Sequence, residues 1–201
     1  MMIITISREF GSGGRELGKR LADQLGFDYY DREIIASIAG RSGMDESYVE
    51  NALENQVWKN VPISFGRSFG IGSIGMVSTT LLLEQTRVLE EIAKMGRNCV
   101  IVGRNADIIL SKYKPFNIFV CAETNSKIQR CISRMKPEEN LSSKEIERNM
   151  RRIDKGRALS RQIITGSRWG DPHNYHLTIN TTDQNIKELT KSVAEYALAS
   201  L

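Results

Sequence analysis

The stretch Ile4-Thr5-Ile6-Ser7-Arg8-Glu9-Phe10-Gly11-Ser12-Gly13-Gly14-Arg15-Glu16-Leu17 decides the fold. The β-branched run over residues 3–6 ends in polar and glycine-rich residues, the pattern of a buried strand entering a loop. Leu17, Leu21 and Leu25 then recur at helical spacing up to Gly26, which predicts a helix and its C-terminal stop. A strand, a glycine-rich turn and a helix in this order can aim consecutive backbone N–H groups, with the positive end of the helix, at a phosphate. A literal GxxxxGK match runs from Gly13 through Gly18 to Lys19. That register fails, because it puts the lysine inside the helix, roughly 200° round from Leu17, and not at the helix mouth.

Outward from this segment, residues 27–30 read as a second short strand, with helices following at about 32–39 and 46–55. Residues 60–77, holding Gly66, Gly70, Gly72 and Gly75, read as a long functional loop, and Ser78 as the cap of a helix ending at Gly96. Buried strands are expected at 99–102 and 117–121, with a last strand at 176–180. Helices are expected at 104–112, 124–136, 143–165 and 186–198. Apolar β-runs alternating with helices imply an α/β fold, a parallel sheet covered on both faces. No internal repeat, low-complexity tract or interdomain linker interrupts the 201 residues.

The composition, 40% hydrophobic, 7% aromatic and 26% charged, excludes a collagen-like or disordered chain. No apolar run approaches the length of a membrane span, so no membrane association is expected. The first residues lack a basic n-region and a long apolar stretch, and are read as a mature N-terminus. Cys99, Cys121 and Cys131 are odd in number and lack metal-type spacing, which suggests reduced thiols in a cytoplasmic protein. The net charge of +4 is unevenly spread: residues 127–168 carry 12 basic and 5 acidic side chains, and the rest of the chain is slightly acidic. No aromatic residues are interleaved with these arginines, which argues against a nucleic-acid surface.

With the glycine-rich turn aligned directly, the opening segment resembles the phosphate loop of cytidylate kinases, and the agreement continues through Leu21-Ala22-Asp23-Gln24-Leu25 to Tyr30-Asp31. Val102-Gly103-Arg104-Asn105 resembles that family's Gly-Arg-Asp after its third strand, and Arg151-Arg152-Ile153-Asp154-Lys155-Gly156-Arg157 its arginine-rich lid helix. The resemblance spans nearly the whole chain. It implies a three-layer P-loop kinase fold in a single domain: a core of 1–35, 91–136 and 166–201, an acceptor-side insertion at about 36–90 and a lid at about 137–165. It also implies transfer of the ATP γ-phosphoryl group to a nucleoside monophosphate, CMP or dCMP first, with Mg2+ bridging the donor phosphates.

Residue by residue, the resemblance assigns Gly11, Ser12, Gly13 and Gly14 to the donor phosphates, and Arg104 and Asp31 to the acceptor. Arg148, Arg151, Arg152, Asp154 and Arg157 would serve the transfer itself. Four positions depart from the pattern. Gly14 stands where a phosphate-binding lysine is expected, and Glu16 near the expected magnesium-binding hydroxyl. Ser37 replaces a nucleotide-binding arginine, with Arg41 one turn further on. Asn105 replaces an aspartate tied to base recognition, and its amide offers both a donor and an acceptor. Arg8 or Arg15, flanking the turn, would supply the missing cation with a bidentate fork.

Each assignment has a plainer counterpart. Arg8 and Arg15 can pair with Glu9 or Glu16, Asp31 can simply cap the next helix, and Arg104 can lie on a helix surface. The lid arginines can be a solvated face paired with Glu145, Glu147 and Asp154. His173 and His176 form an HxxH too small for a metal site. Two further functions compete with a nucleotide kinase: a catalytically weak nucleotide-binding regulatory module, motivated by Gly14 and Glu16, and a kinase for another small acceptor, motivated by Ser37 and Asn105; nucleotides or another small phosphorylated acceptor are the expected partners.

Overall fold

The computed structural model describes residues 1–55, 72–135 and 141–200. The elements are β1 (Ile3–Arg8), α1 (Gly14–Leu25), β2 (Asp28–Tyr30), α2 (Arg32–Ser42), α3 (Glu46–Asn55), α4 (Gly72–Lys94), β3 (Cys99–Val102), α5 (Ala106–Ile109), β4 (Phe116–Cys121), α6 (Thr124–Ser133), α7 (Ser143–Thr165), β5 (Leu177–Asn180) and α8 (Ile186–Ala199). The five strands form one parallel sheet in the order β2-β3-β1-β4-β5.

Alternation within each strand divides the core. Ile4 and Ile6 of β1 and Val100 and Val102 of β3 face α1 and α8, meeting Leu17, Leu21, Val193 and Ala197. Ile3, Cys99 and Ile101 face the other side, where Ile34 and Ile38 of α2 and Leu81, Leu89 and Ile92 of α4 cover them. Each fully buried aliphatic side chain stabilises the fold by roughly 1.5–3 kcal/mol, so both faces are needed. A smaller cluster of Ile128, Ile146 and Met150 joins α6 to α7.

Most element boundaries fall within a residue or three of those expected. Two differ more. The helix expected to begin at Ser78 begins at Gly72, so Gly72 and Gly75 lie in α4 and not in a loop. Packing of α4 on α2 outweighs the poor intrinsic helicity of glycine. The helix expected at 104–112 is the four-residue α5 followed by a 3-10 turn at Ser111–Tyr113. Gly66 and Gly70 lie outside the described residues, as does 137–140 of the expected lid.

The topology positions the site. From β1 the chain builds outward through β3 and β2 on one side and β4 and β5 on the other, so a crevice opens at the carboxyl end of β1. The glycine-rich turn sits there. No described helix is long and apolar enough to cross a membrane.

Candidate functional site

The turn between β1 and α1 is held open by glycine. Gly11 and Gly13 have φ of +75° and +83°, a region that side chains strongly disfavour. Gly11 also lies against α6, where a methyl group would fall 3.0 Å from the Lys127 carbonyl oxygen. Gly13 occupies the N-cap position of α1 and no side chain caps the helix. The first amides of α1, which lack intrahelical acceptors, therefore face the crevice together with the helix dipole. Ser12 is buried: its hydroxyl donates to the Glu9 carbonyl at 2.9 Å, and its carbonyl accepts from the Thr181 hydroxyl at 2.6 Å. Ser12 thus contributes backbone to the turn, not a hydroxyl to a ligand. Glu16 turns away from the opening, pairing with Arg20 at 2.8 Å and with Arg134.

Gly14 and Arg8 are coupled by space. A methyl group at Gly14 would fall 2.6 Å from Arg8 Cβ, so the buried Arg8 stem fills the volume that a side chain at position 14 would need. The Arg8 guanidinium continues across Gly103, whose own methyl group would fall 1.8 Å from Arg8 Nη1. It ends 3.9 Å from Asp31 Oδ1. Arg15 reaches the same carboxylate, its Nε to Oδ2 and an Nη2 donating to Oδ1 at 3.4 Å. Asp31 is the N-cap residue of α2 by position, yet its side chain makes no capping hydrogen bond. The carboxylate instead receives two arginines.

Next to Arg8, Gly103, Arg104 and Asn105 are three consecutive residues with positive φ, +79°, +61° and +51°. Non-glycine residues held this way cost about 1–3 kcal/mol each and cluster at functional sites. The strain is braced: Gln85 donates to the Arg104 carbonyl at 2.9 Å, and the Asn105 amide donates to Ser160 at 3.1 Å. Arg104 and Asn105 line a narrow crevice of about 40 Å3 with Ser7, Arg8, Gln85, Arg157, Ser160 and Trp169. Trp169 is set by edge contact with Phe119, the ring centres 5.3 Å apart.

A second, larger cavity of about 430 Å3 opens over the turn. Among the described residues, six arginines line it, Arg8, Arg15, Arg32, Arg130, Arg134 and Arg157, against the carboxylates of Glu9 and Glu50. Glu9 is already paired with Lys127 at 2.8 Å. Burial, then the neighbouring Arg134, pulls the Arg130 guanidinium below its usual range.

The model of the cytidylate kinase-like family matches residues 3–183. The chain belongs to the cytidylate kinase-like family. No curated protein matches it. Among solved structures it is similar to an uncharacterized protein from Eubacterium ventriosum, 22% identical over 99% of both chains with a TM-score of 0.72. Two shikimate kinases share the fold: that of Bacteroides thetaiotaomicron (16% identity, TM-score 0.56, 100% of this chain and 99% of that one) and that of Acinetobacter baumannii in complex with shikimate (16%, 0.55, 100% and 94%). The architecture is therefore that of the P-loop kinases.

In this cytidylate kinase-like chain the expected lid arginines divide between two faces of α7. Asp154 and Arg157 turn inward. Asp154 Oδ1 accepts the Phe10 N–H at 2.8 Å, and Arg157 donates to the Arg8 carbonyl at 3.1 Å with its guanidinium 6.0 Å from the Phe10 ring centre. Burial pushes the Asp154 carboxyl up, against the opposing pull of Arg157 and the Phe10 N–H. Arg148, Arg151 and Arg152 are exposed on the opposite face, and Arg151 pairs with Glu147 at 2.6 Å. Arg41 lines neither cavity; it sits at the exposed end of α2, gripping Glu91 of α4 through both oxygens. His173 is exposed beside Asp171, and His176 accepts the Asn117 N–H and stacks on Phe116.

Sequence reasoning missed Arg130 and Arg134, and Arg32 at the start of α2. The signal for the first two was present: Lys127, Arg130 and Arg134 recur at i, i+3 and i+7 on the helix after β4, so they share one face.

Proposed function

We propose that this chain transfers the γ-phosphoryl group of ATP to a small acceptor, with CMP and dCMP the first acceptors by family. The observation that carries the reading is the six-arginine cavity above an uncapped helix N-terminus, a concentration of positive charge suited to a polyphosphate. In this reading the amides of Gly13 to Glu16 and the Arg130 and Arg134 guanidinium groups hold the donor phosphates. Arg104 and Asn105 orient the acceptor in the adjoining crevice, and Asp31 steadies Arg8 and Arg15 between the two. Positioning and charge neutralisation are what phosphoryl transfer chiefly requires of a protein.

Mg2+ fits this site as an ion carried by the phosphates. It ordinarily takes one or two protein carboxylates beside phosphate oxygens and water. Of the carboxylates lining the cavity, Glu9 is paired with Lys127, so Glu50 of α3 would complete the shell. The ion's chemistry there is to neutralise charge on the phosphate oxygens.

A second reading, a hydroxylated non-nucleotide acceptor, is favoured by the fold shared with shikimate kinases, one of them bound to shikimate. One experiment separates these: purified protein with ATP, Mg2+ and a panel of nucleoside monophosphates and small hydroxy acids, following both ADP formation and binding. Turnover with CMP or dCMP supports the first reading, and turnover confined to hydroxy acids the second. Tight ATP binding without turnover identifies a nucleotide-responsive module. Absence of ATP binding would refute all three.

A further inference from the structure

We infer that Arg8, on the last residue of β1, is the side chain that grips the transferring phosphoryl group, and that Gly14 is glycine because Arg8 occupies its side-chain volume. The inference rests on the phosphotransfer reading and names the cation within it.

Three observations converge on Arg8. Among the described residues, only Arg8 and Arg157 line both the large cavity and the narrow crevice. A group passing from a donor in one to an acceptor in the other travels beside these two guanidinium groups. The Arg8 path is also built into the backbone on both sides: a methyl group at Gly14 would overlap its Cβ and Cγ, and one at Gly103 would overlap its guanidinium. Finally, its charge is held in place and not dispersed in solvent, since the residue is 7% exposed and faces Asp31. A buried, pre-oriented guanidinium loses little freedom when it grips a phosphate, and its fork presents two donors to two oxygens.

Arg15 does not meet these conditions. Its side chain is 47% exposed, it lines only the large cavity of the two, and its Nε is taken by Asp31. Arg157 is committed differently, donating to the Arg8 carbonyl and to Asp154, so it braces the strand end from which Arg8 projects.

The geometry makes positions 8 and 14 exchangeable. Gly14 has an ordinary helical backbone, without the positive φ of Gly13, so Arg8 is the main obstacle to a side chain there, and Val120 Cβ, tight at 3.3 Å, needs to give by only a few tenths of an ångström. Clearing position 8 opens the volume toward which a side chain at 14 would project. The test compares wild type, Arg8→Gln, Gly14→Lys and the double variant Arg8→Gly/Gly14→Lys, each checked for folding by thermal melt. The readout is the ratio of ATP to ADP affinity by calorimetry, because a residue gripping the terminal phosphate acts on that ratio and a merely structural one weakens both ligands alike.

Arg8→Gln should lower the ratio by about tenfold or more, as expected for losing a charge-assisted phosphate contact. Gly14→Lys alone should bind poorly through crowding, and the double variant should recover most of the wild-type ratio. If Arg8→Gln keeps the wild-type ratio, the inference is overturned. A folded double variant with no better ratio than Arg8→Gln overturns it as well. Should the double variant fail to fold, the Arg8→Gln ratio decides alone. Wild type that binds neither nucleotide would refute the phosphotransfer reading itself, a result distinct from binding that is indifferent to Arg8.

Discussion

The Arg161 guanidinium on α7 and the Asp107 carboxylate on α5 form an ion pair closed off from solvent, with 0% and 1% of the two side chains exposed. Arg161 also donates to Ser167 at 2.9 Å and lies over the Tyr175 ring at 5.8 Å. The pair pins the C-terminal half of α7 to the strained turn after β3, so the helix carrying Asp154 and Arg157 is anchored beside the site. Removing one partner of such a pair strands a buried charge and costs about 3–5 kcal/mol, whereas replacing both with apolar residues is often close to neutral. Arg161→Met should therefore lower the urea midpoint sharply, and adding Asp107→Leu should restore most of it. A single variant as stable as wild type would show that the pair is solvated in solution.

Asp154 should make a pH-dependent contribution whose sign is set by its burial. Burial raises its carboxyl above the usual 3.8, so the folded protein holds this proton to higher pH than the unfolded chain does. Its contribution to stability is full below the unfolded value and declines as pH rises through the raised one. Asp154→Asn retains an oxygen for the Phe10 N–H and removes the titration. The variant should gain stability relative to wild type on going from acid to neutral pH, read as the difference in melting temperature. A relative loss over that interval would mean that the pairing with Arg157 outweighs the burial.

The two faces of α7 should separate functionally. Arg157→Ala removes the contacts to the Arg8 carbonyl and Asp154 and should cut turnover strongly. Replacing the exposed Arg148, Arg151 and Arg152 together should cost less, with the difference shrinking further in high salt. Turnover abolished by the triple change but not by Arg157→Ala would show that the outer face swings onto the substrate.

Arg130 and Arg41 provide a matched comparison. Arg130 Nε comes within 4.0 Å of a methyl group built on Gly13, and its fork is oriented by Thr181. Its replacement by alanine should weaken ATP binding by about tenfold or more, the order expected for a hydrogen bond to a charged group. Arg41→Ala should leave that affinity unchanged, since its guanidinium is spent on Glu91. Titration calorimetry on the two variants checks both.

Cys131 should report on occupancy of the large cavity. It lines the cavity, its Sγ lies 3.2 Å from a methyl group built on Gly11, and burial pushes its thiol up. Its alkylation by iodoacetamide should be slow at neutral pH, accelerate on the alkaline side and fall when ATP is bound. Cys99, raised to about 11 by burial, should stay unmodified throughout. Peptide mass mapping distinguishes the thiols; equal labelling of Cys131 with and without ATP would place the nucleotide elsewhere.

How much of this was legible differs by residue. The strand, turn and helix around Gly11 to Gly14 could be read directly, because apolar periodicity and glycine placement act within a few residues of one another. Arg104 was legible for a similar reason, following a glycine at a strand end. Arg130 was hidden in a charge count that lumped α6 with α7. Arg41 was misplaced because its helical position one turn past Ser37 says nothing of Glu91, which lies 50 residues away.

Local pattern alone thus determined the alternation of strands and helices, the parallel sheet and a glycine-rich turn at its centre, since hydrophobic period and backbone conformation are properties of neighbouring residues. Tertiary structure decided the rest: the strand order that opens the crevice, the division of the α7 arginines into inner and outer faces, and the convergence of Arg8 and Arg15 on Asp31. These depend on distances between residues remote in the chain. Above all, Gly14 looks in one dimension like a missing cation, and in three dimensions it is the space that another cation, Arg8, already fills.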